Sequence, residues 1–93
     1  MVSPGKKSKK SVETSDLKGS EHNLILHNDN VNTFEYVIDT LCEVCNHKHE
    51  QAEQCAMITH YKGKCDIKRG EKSILEEMKI ILLEKGLSVT MER

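Results

Sequence analysis

Leu24-Ile25-Leu26-His27-Asn28-Asp29-Asn30-Val31-Asn32-Thr33-Phe34-Glu35-Tyr36-Val37-Ile38-Asp39 contains the turn on which the fold of this chain depends. The three consecutive apolar residues are bounded by polar ones, which predicts a short buried strand. Amides and a carboxylate at residues 28–32 then break the run. Asn32 with Glu35 three positions on reads as an N-cap and its capping box, so a helix is expected to begin at Thr33. Phe34, Val37, Ile38, Leu41 and Cys45 recur at helical spacing and form its buried stripe.

Downstream, the polar residues 46–49 interrupt that stripe. A second helix is expected over residues 50–61, with Ala52, Cys55, Ala56 and Thr59 on one face. Gly63 suits its exit, where a left-handed residue costs glycine little. Residues 64–68 alternate as a half-exposed strand, closed by a turn at Gly70. Ser73 and Glu76 form a second capping box ahead of Ile74, Leu75, Met78, Ile81 and Leu82, the clearest helix of the chain. Gly86 ends it, and residues 87–91 alternate as a last strand. The order is β-α-α-β-α-β, an α+β class fold: a small sandwich of a three-stranded antiparallel sheet with three helices on one face.

Upstream the composition changes. Residues 1–20 carry five lysines against Glu13 and Asp16, a net of +3, with the only proline and few apolar side chains. Such a segment buries too little apolar area to offset its ordering entropy, so a disordered lysine-rich arm is expected over 1–20 and one small domain over 21–93. The domain has nine basic and thirteen acidic side chains, a net of −4, with one Phe, two Tyr and no Trp. That balance excludes the basic, aromatic surface that grips nucleic acid. No secretory h-region and no run near the roughly 18 apolar residues of a membrane span are visible, which predicts a cytoplasmic monomer with no membrane partner.

Asn28, Asp29 and Asn30 in the turn, with His60 just before the Gly63 helix exit, supply short acceptors and a neutral imidazole. Such groups grip a small cation, for instance a free α-amino group, and offer nothing for breaking a bond. Taken one at a time they have plainer readings. Asn28 and Asn32 suit a turn and a cap, His60 suits a helix C-terminus, and Phe34 and Val37 suit a core.

The cysteines raise two further possibilities. Cys42, Cys45, His47 and His49, with Cys55 nearby, resemble a zinc knuckle. Against it, Cys45 continues the apolar stripe, the two histidines lie two residues apart, and a second CxxC is missing. Cys65 with His60 is a conceivable nucleophile pair, but no residue pattern supplies an oxyanion hole. Free thiols in or beside the core are the expectation, without disulfides.

The strand ending in Asn28-Asp29, the helix start over residues 32–39 and the His60-x-x-Gly63-Lys64 exit together resemble the adaptor of the Clp protease, the ClpS family, over residues 22–92. The resemblance implies a protein without catalytic activity or cofactor. It implies binding of proteins whose exposed N-terminal residue is a bulky hydrophobe, usually Leu, Phe, Tyr or Trp (an N-degron). It further implies their delivery to the N-terminal domain of a hexameric Clp ATPase.

By the same resemblance, Asn28 and His60 accept from the α-amino group, with Asp29 and the position of Asn30 assisting. The family turn reads Asn-Asp-Asp, so Asn30 keeps an acceptor and removes a charge, a loss of up to about tenfold in affinity. Asn32, Phe34, Val37, Ala56, Thr59 and Leu87 match the hydrophobic pocket. Phe34 replaces the methionine that screens out β-branched residues, and Ala56 and Thr59 replace larger apolar ones. The arm is implied in delivery, and the ATPase is expected to dock near the second helix exit and residues 70–79. The alternatives are a small zinc-binding interaction module, or a divergent adaptor that modulates the Clp ATPase without reading N-degrons.

Overall fold

Leu24 and Leu26 are 0% and 2% exposed and Ile25 is 3% exposed, although side chains alternate faces along a strand. A strand buried on both faces belongs in the middle of a sheet, and strand β1 (Glu21–His27) lies there. In the computed structural model, which describes residues 21–93, β2 (Lys64–Glu71) and β3 (Ser88–Glu92) flank it, both antiparallel, in the order β2-β1-β3. The arm expected over residues 1–20 lies outside the described residues.

Helices α1 (Phe34–Cys45), α2 (His49–Lys62) and α3 (Lys72–Glu84) complete the order β-α-α-β-α-β, in agreement with the sequence reading. Leu24 and Leu26 meet Ile38, Leu41 and Cys45 of α1, Ala52, Cys55 and Ala56 of α2, and Leu75 and Leu82 of α3 in one cluster. All three helices therefore bury their apolar sides on one face of the sheet. Each fully buried leucine contributes about 1.5–3 kcal/mol. Truncating Leu41, which is 0% exposed, removes about 2–5 kcal/mol through lost transfer energy and the cavity left behind.

Several local expectations shift. Thr33, not Asn32, caps α1: its hydroxyl accepts from the Tyr36 N–H at 3.1 Å. The Asn32 side chain is drawn elsewhere, as described below. The Ser73–Glu76 box does not form, because α3 leaves β2 directly at Lys72. Ser73 then lies inside the first turn, and its hydroxyl donates to Glu71 at 3.0 Å. Gly70 belongs to β2, opposite His22, rather than closing it.

The alternation of β2 also changes phase. Leu24 pairs with Lys68 and Ile25 with Asp66, so Ile67 is the extra residue of a bulge. Ile67 is buried, and its carbonyl receives the His47 Nε2–H at 2.6 Å. The slip turns Lys68 inward, where Nζ donates to the Cys45 carbonyl at 3.1 Å.

Candidate functional site

Three chain exits converge beside Asn28. The Asn28 backbone N–H donates to the Gly63 carbonyl at 2.9 Å, which joins the end of β1 to the end of α2. Gly63 has φ +94°, a left-handed value that side chains disfavour, and its own N–H closes α2 on the Thr59 carbonyl at 2.9 Å. The sharp exit brings His60, one turn back, to the same end of the sheet as Asn28.

The third exit is that of α3. Asn32 Nδ2 donates to the Gly86 carbonyl at 2.9 Å, and the Tyr36 hydroxyl donates to the Lys85 carbonyl. Gly86 turns the chain at φ +91° so that its carbonyl can be reached. The start of α1 is thus pinned to the end of α3, as the end of β1 is to the end of α2.

Asp29 organises the turn itself. Its Oδ1 accepts from the Val31 and Asn32 N–H groups, both at 2.8 Å, and its Oδ2 accepts from Asn32 Nδ2 at 3.0 Å. The Asn32 backbone N–H, aided by the Asn32 amide and the Val31 N–H, holds the Asp29 carboxyl below its ordinary range, against a push upward from burial. The charge therefore stays in place at neutral pH, while its acceptor positions are committed to the turn.

These elements enclose a pocket of about 60 Å³ lined by Leu26, His27, Asn28, Asp29, Asn32, Phe34, Val37, Ala56, Thr59 and His60. Leu26, Ala56 and Thr59 are buried and form its floor, and Val37, Asp29 and Asn32 are half-buried on its walls. Asn28, Phe34 and His60 are exposed at the rim. The Phe34 and His60 rings meet edge to face at 5.9 Å, and the His60 and Tyr61 rings do so at 5.2 Å.

Eight of the ten site residues singled out from the sequence line this one pocket. The other two do not: Asn30 is exposed in the turn, and Leu87 is buried in the core. Leu26 and His27 were not anticipated. Leu26 ends the apolar run read from the sequence and His27 follows it, and the Asn28–Gly63 bond brings that end of the strand beside the end of α2.

The cysteines lie apart from this lining. Cys45 is in the core, and burial pushes its thiol up to about 11. Burial, with the neighbouring Cys65 thiol, pushes Cys55 up to about 12, and burial also raises Cys65. Thiols held protonated make poor nucleophiles and poor ligands. His47 has its Nε2 on the Ile67 carbonyl, and among the described residues no three His, Cys, Asp or Glu side chains gather into a metal-holding group. Among them, too, no helix is long and apolar enough to cross a membrane.

Residues 18–90 match the family model described as ATP-dependent Clp protease adaptor protein ClpS. The fold is similar to the structure of Agrobacterium tumefaciens ClpS2 bound to L-phenylalaninamide, with a TM-score of 0.68 and 23% identity, over 78% of this chain and 95% of that one. No curated protein matches this chain.

Proposed function

Because the chain belongs to the ClpS family, whose members are adaptors of the Clp protease and not catalysts, we propose that its pocket reads the first residue of a substrate protein. The observation that carries this reading is the division of one pocket into a polar rim and an apolar floor. Asn28 and His60 stand at the rim, and Leu26, Val37 and Ala56 line the interior. An α-amino group, with a reference pKa near 7.7–8.0, is mostly a cation with three donors at neutral pH. It needs acceptors at the mouth, while the side chain beside it needs a dry recess.

The similarity to ClpS2 supports the same division. Its ligand, L-phenylalaninamide, has a free amine, a phenyl ring and an amide in place of the next peptide bond. It stands in for the first residue of a chain. In this protein Asn28 Oδ1 and a bare His60 ring nitrogen accept from the amine. Asp29 attracts it through space, since its oxygens hold the turn. Asn30 lacks the charge usual at that place, so the grip on the amine is weaker than in relatives reading Asn-Asp-Asp. The bound protein is then handed to the N-terminal domain of a Clp ATPase, which docks near the end of α2 and residues 70–79.

The test is fluorescence anisotropy with a peptide beginning in free Leu or Phe, beside the same peptide N-acetylated. Micromolar or tighter binding that acetylation abolishes is the expected result. Absence of binding to every free-amine peptide would refute the reading and leave an adaptor that acts on the ATPase alone.

A further inference from the structure

The apolar part of the pocket has a floor that cannot retreat. Leu26 and Ala56 are buried members of the core cluster, and Val37 packs against it. Thr59 is buried beside them, with its hydroxyl donating to the Cys55 carbonyl at 2.7 Å within α2. Interiors are packed close to crystal density, so deepening the recess would move β1 or α2 against the whole core. Phe34 is placed differently. It is exposed, at the first position of α1, and its ring meets the His60 ring edge to face at 5.9 Å. Of the apolar side chains in the lining, it alone can move without disturbing the core.

The space these side chains leave is about 60 Å³. A cavity that holds one benzene ring measures about 150 Å³, so the recess has room for fewer than half of a ring's atoms. Phenylalanine carries a whole benzene ring beyond its Cβ, and tryptophan carries a larger one. Leucine and methionine carry half as many heavy atoms there as phenylalanine. Resting on the reading of the site given above, we propose that the pocket selects by size. It takes leucine or methionine as the first residue ahead of phenylalanine, tyrosine and tryptophan. A leucine seats with the Phe34 ring in place. An aromatic residue has first to displace that ring from His60, because crowding a packed wall is itself costly. The larger area that such a residue buries is offset by the Phe34 surface it drives into water.

The native protein is titrated with peptides identical except for a first residue of Leu, Met, Phe or cyclohexylalanine, each with a free and an acetylated amine. Leucine and methionine should bind about equally. Phenylalanine should bind about tenfold more weakly, the lower end of what one misfit methylene costs in a hydrophobic pocket. Cyclohexylalanine, with a ring of the same length and no aromaticity, should bind no better than phenylalanine. Phe34→Ala should bring the Leu-to-Phe ratio to about one, whatever it does to absolute affinity. Phenylalanine binding as tightly as leucine, with acetylation still abolishing both, overturns this inference and leaves the reading of the amine intact. Cyclohexylalanine binding as tightly as leucine overturns size as the basis of selection. A ratio unchanged in Phe34→Ala overturns the assignment of the limit to Phe34. Absence of any acetylation-sensitive binding removes the amine reading and this inference with it.

Discussion

The Asn28 N–H and the Gly63 carbonyl, 2.9 Å apart, set the spacing between the end of the central strand and the end of α2. The bond depends on the backbone of Gly63, which turns at φ +94° with nothing within 4 Å of the place a Cβ would occupy. The cost of Gly63→Ala is therefore conformational alone, about 1–2 kcal/mol, with asparagine milder than alanine. Urea unfolding should report that loss. Peptide affinity of the folded variant should stay within about twofold, and a larger drop would mean that the turn itself relocates.

Asp29→Asn separates the turn from the charge. The carboxylate accepts three bonds, and an amide in its place puts a donor against Asn32 Nδ2. Loss of about 1 kcal/mol is expected at pH 7, because the group is partly solvated. The folded Asp29 is held below its reference value of 3.8, so its contribution is full above about pH 4 and is lost as pH falls through the lower folded value. The gap between native and variant urea midpoints should therefore close toward pH 2.5. A gap independent of pH would show that the carboxylate charge contributes nothing.

Much of this arrangement could be read locally. Leu24-Ile25-Leu26 announced a buried strand, and Gly63 and Gly86 announced helix exits, because each signal depends on a few adjacent residues. The capping of α1 could not be read in that way. Asn32 is the better cap by type, but the Gly86 carbonyl, 54 residues away, takes its amide and leaves the cap to Thr33. The bulge at Ile67 was equally hidden, since it is supported by His47, twenty residues distant. The role of Asp29 was open to the sequence, because it bonds residues only two and three positions on. A carboxylate in a turn reads equally well as a turn-former or as a counter-ion.

If the pocket reads a first residue, Phe34 is the side chain expected to control entry. Its ring lines a recess of about 60 Å³ and meets the His60 ring edge to face at 5.9 Å, and it is 43% exposed at the first position of α1. An engineered cavity that takes benzene measures about 150 Å³. A bulky side chain is therefore expected to fill the recess only with the Phe34 ring swung outward, and a branch at Cβ is expected to collide with that ring. Phe34→Ala should raise affinity for peptides beginning in Ile or Val by about tenfold relative to Leu. If Ile remains as poorly bound as before, the discrimination lies deeper than the rim.

Residues 1–20 carry the net charge of +3 and precede the first residue of β1. Their removal should leave peptide affinity unchanged and stop degradation of an N-degron reporter by the Clp ATPase and its peptidase. An unchanged degradation rate would place delivery in the folded domain.

Asn28→Ala and His60→Ala test the amine contacts without threatening the fold. The Asn28 backbone bond to Gly63 survives truncation, and His60 is exposed, with its ring edge to face with those of Phe34 and Tyr61. Bonds to a cation are worth about 1.5–3 kcal/mol, so each variant should lose at least tenfold in affinity with little change in urea midpoint. From pH 8 to 7 the peptide amine gains its charge, so native affinity should rise over that interval. Unchanged affinity in either variant would remove that residue from the amine site.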